Sequence, residues 1–180
     1  IDQDIYADII VGAPSAAGTG RAYVYSGADG SLLHTFNPAA AGAAFGSAVG
    51  GPGDLNADGF DDLLVGAPNT AGGGRVYVLS GASGTILYTS IAPDATGGSL
   101  GNFWLESPGD LDNDGVPDIY AADITNRASG NNSGRAYVYS GATGGTIHVM
   151  TGERSNDQFG IGRGASDADG DGVRDIFVAA

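Results

Sequence analysis

An all-β fold built from repeated four-stranded antiparallel units is what this sequence predicts, on three observations. Short β-branched and aromatic runs alternate with breaks rich in Gly, Asn, Pro and Ser, and no window carries a 3.6-residue apolar period. Glycine supplies 33 of the 180 residues without a triplet period, which marks a turn-rich β architecture rather than a collagen-like one. Similar phrases return about every 55 residues, as they do in chains of stacked supersecondary units.

Each repeat divides into four strands, A to D. Strand A falls in AFGSAVGG from Ala44, LGNFWLES from Leu100 and FGIGRGAS from Phe159. An acidic connection follows. Strand B then begins at Asp8, Asp62, Asp118 and Asp175, with the runs DIIVGAP, DLLVGAP, DIYAAD and DIFVAA. Strand C lies in GRAYVYSG from Gly20, GRVYVLSG from Gly74 and GRAYVYSG from Gly134. Its AYVYS core alternates, as a strand with two distinct faces should. The turns SGADGS, SGASGT and SGATGGT read as tight hairpins in which Gly supplies the positive φ. Strand D closes the unit in SLLHTF from Ser31, TILYTS from Thr85 and TIHVM from Thr146.

Four strands per period of about 50 residues predict a β-propeller, because a single blade cannot cover both of its own faces. A β-solenoid is the alternative, but its repeats are usually shorter. The chain reads as one domain over residues 1–180. Its repeat units span approximately 1–43 (partial), 44–98, 99–156 and 157–180 (partial), which gives two complete blades between two partial ones. That is too few to close a ring. The expectation is a segment of a propeller of about six or seven blades, completed by flanking blades or by another copy of the chain. The opening at Ile1-Asp2-Gln3-Asp4, with no initiator Met or signal peptide, fits a piece of something longer.

Charge is sparse but one-sided, with a net charge of -14. Most of the 21 Asp and Glu lie in four windows, Asp2–Asp8, Asp54–Asp62, Asp110–Asp118 and Asp167–Asp175. Such clustering speaks for local charge chemistry rather than a generally solubilised surface. Arginines alone supply the seven basic side chains, too few for a nucleic-acid footprint. The absence of Cys excludes disulfides, thiolate metal sites and cysteine nucleophiles. No apolar run approaches the roughly 20 residues that membrane insertion by a helix requires.

The acidic windows share a register. With Asp54 as position 1, oxygen-bearing side chains fall at 1, 3, 5 and 9: Asp54, Asn56, Asp58 and Asp62. Gly59 stands at position 6, and Phe60 at position 7 offers a backbone carbonyl. The next window repeats this as Asp110, Asp112, Asp114, Val116 and Asp118, and the last as Asp167, Asp169, Asp171, Val173 and Asp175. The spacing matches the first half of an EF-hand loop, where side chains at 1, 3 and 5 and the carbonyl at 7 wrap calcium. Position 12 lacks the EF-hand Glu, so position 9 must supply the last carboxylate. Carboxylates gathered at 4 Å repel by about 4 kcal/mol per pair at an effective dielectric near 20. An all-oxygen donor set suits Ca²⁺ as the neutralising ion better than zinc or copper. A solvated Asp-rich turn is the bland alternative, and threefold repetition of matched positions weighs against it. In the N-terminal window Asp2, Asp4, Tyr6 and Asp8 occupy positions 3, 5, 7 and 9, position 1 precedes Ile1, and Ile5 stands where the turn prefers Gly. This site is expected to be weak or empty.

These residues resemble the FG-GAP repeats that form the β-propeller of integrin α subunits and of many bacterial surface proteins. Phe45-Gly46 and Phe159-Gly160 are FG elements; Gly12-Ala13-Pro14 and Gly66-Ala67-Pro68 are GAP elements, with DLNADGFDD preceding the latter. The resemblance covers essentially the whole chain. It implies calcium ions in the A–B loops that are mainly structural, and ligands bound at the opposite rim by B–C and D–A connections. The third repeat departs from the pattern, with Leu100-Gly101 for FG and Ala121-Ala122-Asp123 where GAP belongs.

An enzyme is not predicted. The acidic clusters repeat, whereas an active site is normally unique. His34 and His148 sit in D strands and read as strand residues. Arg21, Arg75 and Arg135 open C strands and read as edge cover. Trp104 and the C-strand tyrosines at 23, 25, 77, 137 and 139 read as packing between blades. The polar connection Asp123–Ser133, which contains the sequon Asn131-Asn132-Ser133, is the best candidate for a binding surface. The function expected is a calcium-stabilised binding or adhesion module, extracellular or on a bacterial cell surface, with an unidentified protein or glycan ligand. The alternatives are the non-catalytic propeller portion of a secreted enzyme and an architectural spacer.

Overall fold

The computed structural model describes residues 1–37, 42–93 and 98–180. Its strands form four antiparallel sheets in strict chain order. The first holds β1 (Ile9–Ala13), β2 (Arg21–Tyr25) and β3 (Leu32–Phe36). The second holds β4 (Val49–Gly53), β5 (Asp62–Ala67), β6 (Arg75–Leu79) and β7 (Ile86–Ile91). The third repeats it with β8 (Leu105–Gly109), β9 (Asp118–Asp123), β10 (Arg135–Tyr139) and β11 (Thr146–Thr151). The fourth is the pair β12 (Ile161–Gly164) and β13 (Ile176–Ala179). Two four-stranded blades thus stand between a B-C-D sheet and an A-B sheet, the arrangement of a propeller segment.

The core lies between sheets, and side-chain alternation puts it there. On β5 and β6, Leu63, Val65, Tyr77 and Leu79 join a buried cluster with Val24 and Phe36 of the first sheet. Their neighbours Leu64, Val76 and Val78 point the other way and join Ile119, Ala121, Tyr137 and Tyr139 of the third sheet. Tyr120, Ala122, Ala136 and Val138 face on toward Ile176 and Val178. The central strands of the two complete blades, β5, β6, β9 and β10, are therefore buried on both faces, and a blade alone would expose half of its apolar residues.

Strand A begins later than its sequence segment suggests, and β4 and β8 run past the end of theirs, to Gly53 and Gly109. The FG dipeptide stands ahead of it, where Phe45, Leu100 and Phe159 form parallel bridges to Gly20, Gly74 and Gly134 at the start of strand C in the preceding sheet. Phe45 meets Tyr77 edge-on at 5.5 Å. The GAP glycine explains the motif's pairing. A Cβ on Gly66 would lie 1.9 Å from the carbonyl oxygen of Gly101, and one on Gly12 would lie 2.0 Å from that of Gly46. The FG of one blade is seated on the GAP of the one before.

Strand register corrects the reading of the third repeat. Ala122 pairs with Ala136 as Gly66 pairs with Val76. The GAP positions are thus Ala122-Asp123-Ile124, one residue later than Ala121-Ala122-Asp123. Opposite Ala122, Gly160 takes φ 134°, against 88° and 80° at Gly46 and Gly101, and the added methyl is accommodated.

Candidate metal centres

Each acidic window is a compact loop tied by its own amides. Asp54 Oδ1 and Oδ2 accept hydrogen bonds from the amides of Asp58 and Gly59 at 3.2 and 2.8 Å. Asp110 accepts in the same way from Asp114 and Gly115 at 3.2 and 2.9 Å, and Asp167 from Asp171 and Gly172 at 3.1 and 2.9 Å. At position 3, Asn56, Asp112 and Asp169 accept from the same position-5 amide at 3.0, 3.2 and 3.1 Å. At position 5, Asp58, Asp114 and Asp171 accept from the amides of Phe60, Val116 and Val173 at 2.9, 2.8 and 2.7 Å.

Two left-handed residues make the turn. Position 6 is Gly59, Gly115 and Gly172, with φ 89°, 91° and 92°, as the spacing anticipates. Position 4 is left-handed too, at Ala57 (58°), Asn113 (59°) and Gly170 (82°). Only Asn and Gly advertise that conformation in sequence, so the Ala57 loop hid it.

Position 9 does more than close the loop. Asp62 Oδ2 accepts the Leu55 amide at 2.9 Å, and Oδ1 accepts the Gly81 amide, at the C–D turn, at 3.1 Å. Asp118 does the same with Leu111 at 2.7 Å and Gly141 at 3.0 Å. Asp175 accepts from Ala168 at 2.6 Å. Gly81 and Gly141, at the start of these turns, are not left-handed. They are glycines because a Cβ would lie 1.9 Å from the Asp61 carbonyl oxygen and 1.8 Å from that of Pro117. The left-handed glycines are Gly30, Gly84 and Gly144 further along.

Burial sets the charge state at this position. Asp62 and Asp118 are 1% and 0% exposed. Desolvation raises both above the ordinary carboxyl value of 3.8; the two accepted amides oppose the shift, and the neighbouring loop carboxylates add to it. An ionised carboxylate here calls for a positive partner.

Three carboxylate groups converge. Oxygens of Asp110, Asp112 and Asp118 lie within 4.8 Å of one another, as do those of Asp167, Asp169 and Asp175 and those of Asp2, Asp4 and Asp8. Position 5 (Asp114, Asp171) stands outside the two later groups. Among the described residues Asp54, Asp58 and Asp62 form no such group. Asn56 takes position 3 there, and its amide donates to Asp58 Oδ2 at 2.9 Å. The N-terminal loop keeps the fold despite Ile5: Gln3 is left-handed at φ 64°, Asp2 accepts from Asp4 at 3.1 Å, Asp4 from Tyr6 at 2.8 Å, and Asp8 from Gly27 at 3.2 Å. The donor chemistry fits a hard divalent ion: oxygens only, converging from one short loop whose own amides hold the carboxylates in place.

The remaining candidates are placed differently. His34 is half-buried beside Phe36, with ring centroids 5.8 Å apart, and His148 is exposed. Trp104 packs against the cluster between the third and fourth sheets. Arg135 Nε donates to Thr151 Oγ1 at 2.9 Å. The connection Asp123–Ser133 is braced from within. Buried Asp123 accepts from the Ser99 amide at 2.8 Å and from Asn126 Nδ2 at 3.1 Å, and Ser133 is buried. Only its tip, Arg127–Ser129, together with Asn131, is exposed.

Sheets stacked through their faces, each carrying an acidic loop at the same place, define a β-propeller repeat chain. The family model for the FG-GAP repeat matches residues 45–79. The chain is 32% identical over 190 residues to integrin alpha-4 of Xenopus laevis, covering 96% of this chain and 18% of that protein. Against integrin alpha-5 of the same species it is 33% identical over 203 residues, covering 99% and 19%. Integrin alpha-3 of Cricetulus griseus is 32% identical over 152 residues, covering 79% and 14%. The chain is an FG-GAP repeat protein, similar to integrin alpha chains over nearly all of its length while spanning under a fifth of theirs. These relatives are animal proteins and lend no support to a bacterial source. Among the described residues no helix is long and apolar enough to cross a membrane.

Proposed function

We propose that the chain is a calcium-stabilised, non-catalytic binding module of adhesion type that works outside the cell. Ca²⁺ is held by Asp110, Asp112, Asp114, Asp118 and the Val116 carbonyl in one loop. The equivalent ligands are Asp167, Asp169, Asp171, Asp175 and the Val173 carbonyl in another, and Asp54, Asn56, Asp58, Asp62 and the Phe60 carbonyl in a third. Asp2, Asp4 and Asp8, with the Tyr6 carbonyl, form a weaker fourth site. The observation that carries this reading is the convergence of three carboxylates within 4.8 Å at the same blade position.

The ion's role is structural. Position 9 already joins the A–B loop to the C–D turn, and a cation fixes that carboxylate in its ionised form. Loops of extracellular type bind calcium at about 10⁻⁴–10⁻³ M, a level kept outside cells. The ligand is a protein or glycan, and the rim formed by Arg127–Ser129 is where it binds. The repeat units 1–43, 44–98, 99–156 and 157–180 act as blades whose ring is completed by further blades or a second copy. Thermal melts in millimolar calcium and after exhaustive chelation test the reading. A melting temperature that falls on chelation and returns with calcium supports it. Identical melts in the two conditions rule it out.

A further inference from the structure

Two equivalent interfaces in this molecule are filled differently. Between the second and third sheets, the Tyr88 hydroxyl of β7 donates to the Gly141 carbonyl, and the Tyr139 hydroxyl of β10 donates to the Ile91 carbonyl at 3.2 Å. The Tyr88 ring lies against Gly144, where a Cβ would meet it at 2.5 Å. Between the first and second sheets, His34 stands opposite Val24 as Tyr88 stands opposite Val78. Leu79 stands opposite Leu63 as Tyr139 stands opposite Ile119. Both tyrosines are therefore replaced. Phe36 covers Gly84 in Tyr88's stead, with 3.0 Å from its ring to a Cβ built there, and the aliphatic Leu79 stands at the register position of the second ring.

A cavity of about 360 Å³ opens at this place, with His34, Phe36, Phe45, Tyr77, Leu79 and Ser83 among the residues that line it. We propose that it is a binding site for a small neutral phenolic compound: one aromatic ring with one hydroxyl, free in solution. The volume falls within the range of small-ligand pockets. The rings of Phe36, Phe45 and Tyr77 together with Leu79 offer apolar surface against which a single ring can pack. His34 and Ser83 offer the polar partners that the hydroxyl needs. The neighbouring interface fills the same space with tyrosine, whose side chain is a phenol. A net charge of -14 selects against ring compounds that carry a carboxylate.

An NMR titration of the whole chain in calcium tests this, with p-cresol as the probe and benzoate and N-acetyltyrosine amide as comparators. The expected result is saturable shifts at the amides of Phe36, Tyr77, Leu79 and Ser83, with p-cresol bound near millimolar and benzoate at least about tenfold more weakly. Leu79→Tyr restores the missing ring and is expected to weaken p-cresol binding by about tenfold or more. His34→Tyr is the second filling variant should the first fold poorly. Unsaturable or scattered shifts, or undiminished binding in a folded filled variant, would overturn the site. Benzoate binding as tightly as p-cresol would overturn the ligand class. Tighter binding of N-acetyltyrosine amide would overturn a free small molecule in favour of a tyrosine side chain.

Discussion

Asp62 Oδ1 accepts the Gly81 amide at 3.1 Å across 19 residues of chain, which ties the loop before β5 to the turn after β6. Asp118 and Gly141 repeat the contact at 3.0 Å, and Asp8 and Gly27 at 3.2 Å. One carboxylate thus serves two ends of a blade: its other oxygen holds the acidic loop closed. The carboxylate that orders the loop also orders the hairpin, so a cation held in the loop would stabilise the whole blade.

Gly81→Ala tests that link without touching an acidic residue. The new Cβ would fall 1.9 Å from the Asp61 carbonyl oxygen, and the turn must move away from Asp62. Urea denaturation is expected to show a loss of about 1–3 kcal/mol. The same measurement on Gly72→Ala is the control for strain alone, since Gly72 is left-handed at φ 93° and a Cβ there meets nothing within 4 Å. If Gly81→Ala costs no more than that control, the close approach is not what fixes the glycine.

The FG-on-GAP seat predicts an asymmetry between blades. Gly66→Ala puts a methyl 1.9 Å from the Gly101 carbonyl oxygen and is expected to destabilise by about 1–3 kcal/mol. Ala122 already carries that methyl, facing Gly160, so Ala122→Gly is expected to change stability by less than about 1 kcal/mol. Equal costs at the two positions would contradict the seat.

Much of this was legible in the sequence, because repetition fixes both the sheet order and the loop register. Strand limits were legible only in part. Phe45-Gly46 is written beside strand A, yet it serves the preceding blade by bridging Gly20, and a contact between blades leaves no local periodicity. Position 4 of the loop was hidden at Ala57, whose side chain gives no sign of a left-handed backbone. The partnership of Asp62 with Gly81 was hidden as well, since turn chemistry alone explains a glycine there. The charge pattern located the acidic loops, but only the fold separates Asp118, buried at 0% exposure, from the solvent-facing Asp114.

Tyr88 measures what a hydroxyl bridge between blades contributes. Burial, reinforced by the carboxylates of Asp62, Asp118 and Asp114, raises its pKa, so it remains a protonated donor to the Gly141 carbonyl. Tyr88→Phe is expected to cost about 1 kcal/mol by denaturant unfolding, because it leaves that carbonyl without the donor. An unchanged unfolding midpoint would show that the hydroxyl contributes nothing there.

The pH response has opposite signs with and without metal. Desolvation holds the folded pKa of Asp62 and Asp118 above 3.8. Without metal, their contribution favours the fold below that value and is lost as pH rises through the raised folded pKa. On the proposed reading calcium binds the ionised form, so its stabilisation would fade as pH falls through the same range. The difference in melting temperature between calcium-loaded and chelated protein is expected to shrink as pH falls through the raised folded pKa toward about pH 4. A difference that stays constant down to pH 4 would contradict a carboxylate-held ion.

The most direct measurement is a crystal structure of the protein grown in calcium, with anomalous scattering used to locate the ion. The account predicts peaks enclosed by Asp110, Asp112 and Asp118 and by Asp167, Asp169 and Asp175, with the carbonyl oxygens of Val116 and Val173 turned inward. Loops without a peak at saturating calcium, their carboxylates dispersed into solvent, would contradict it.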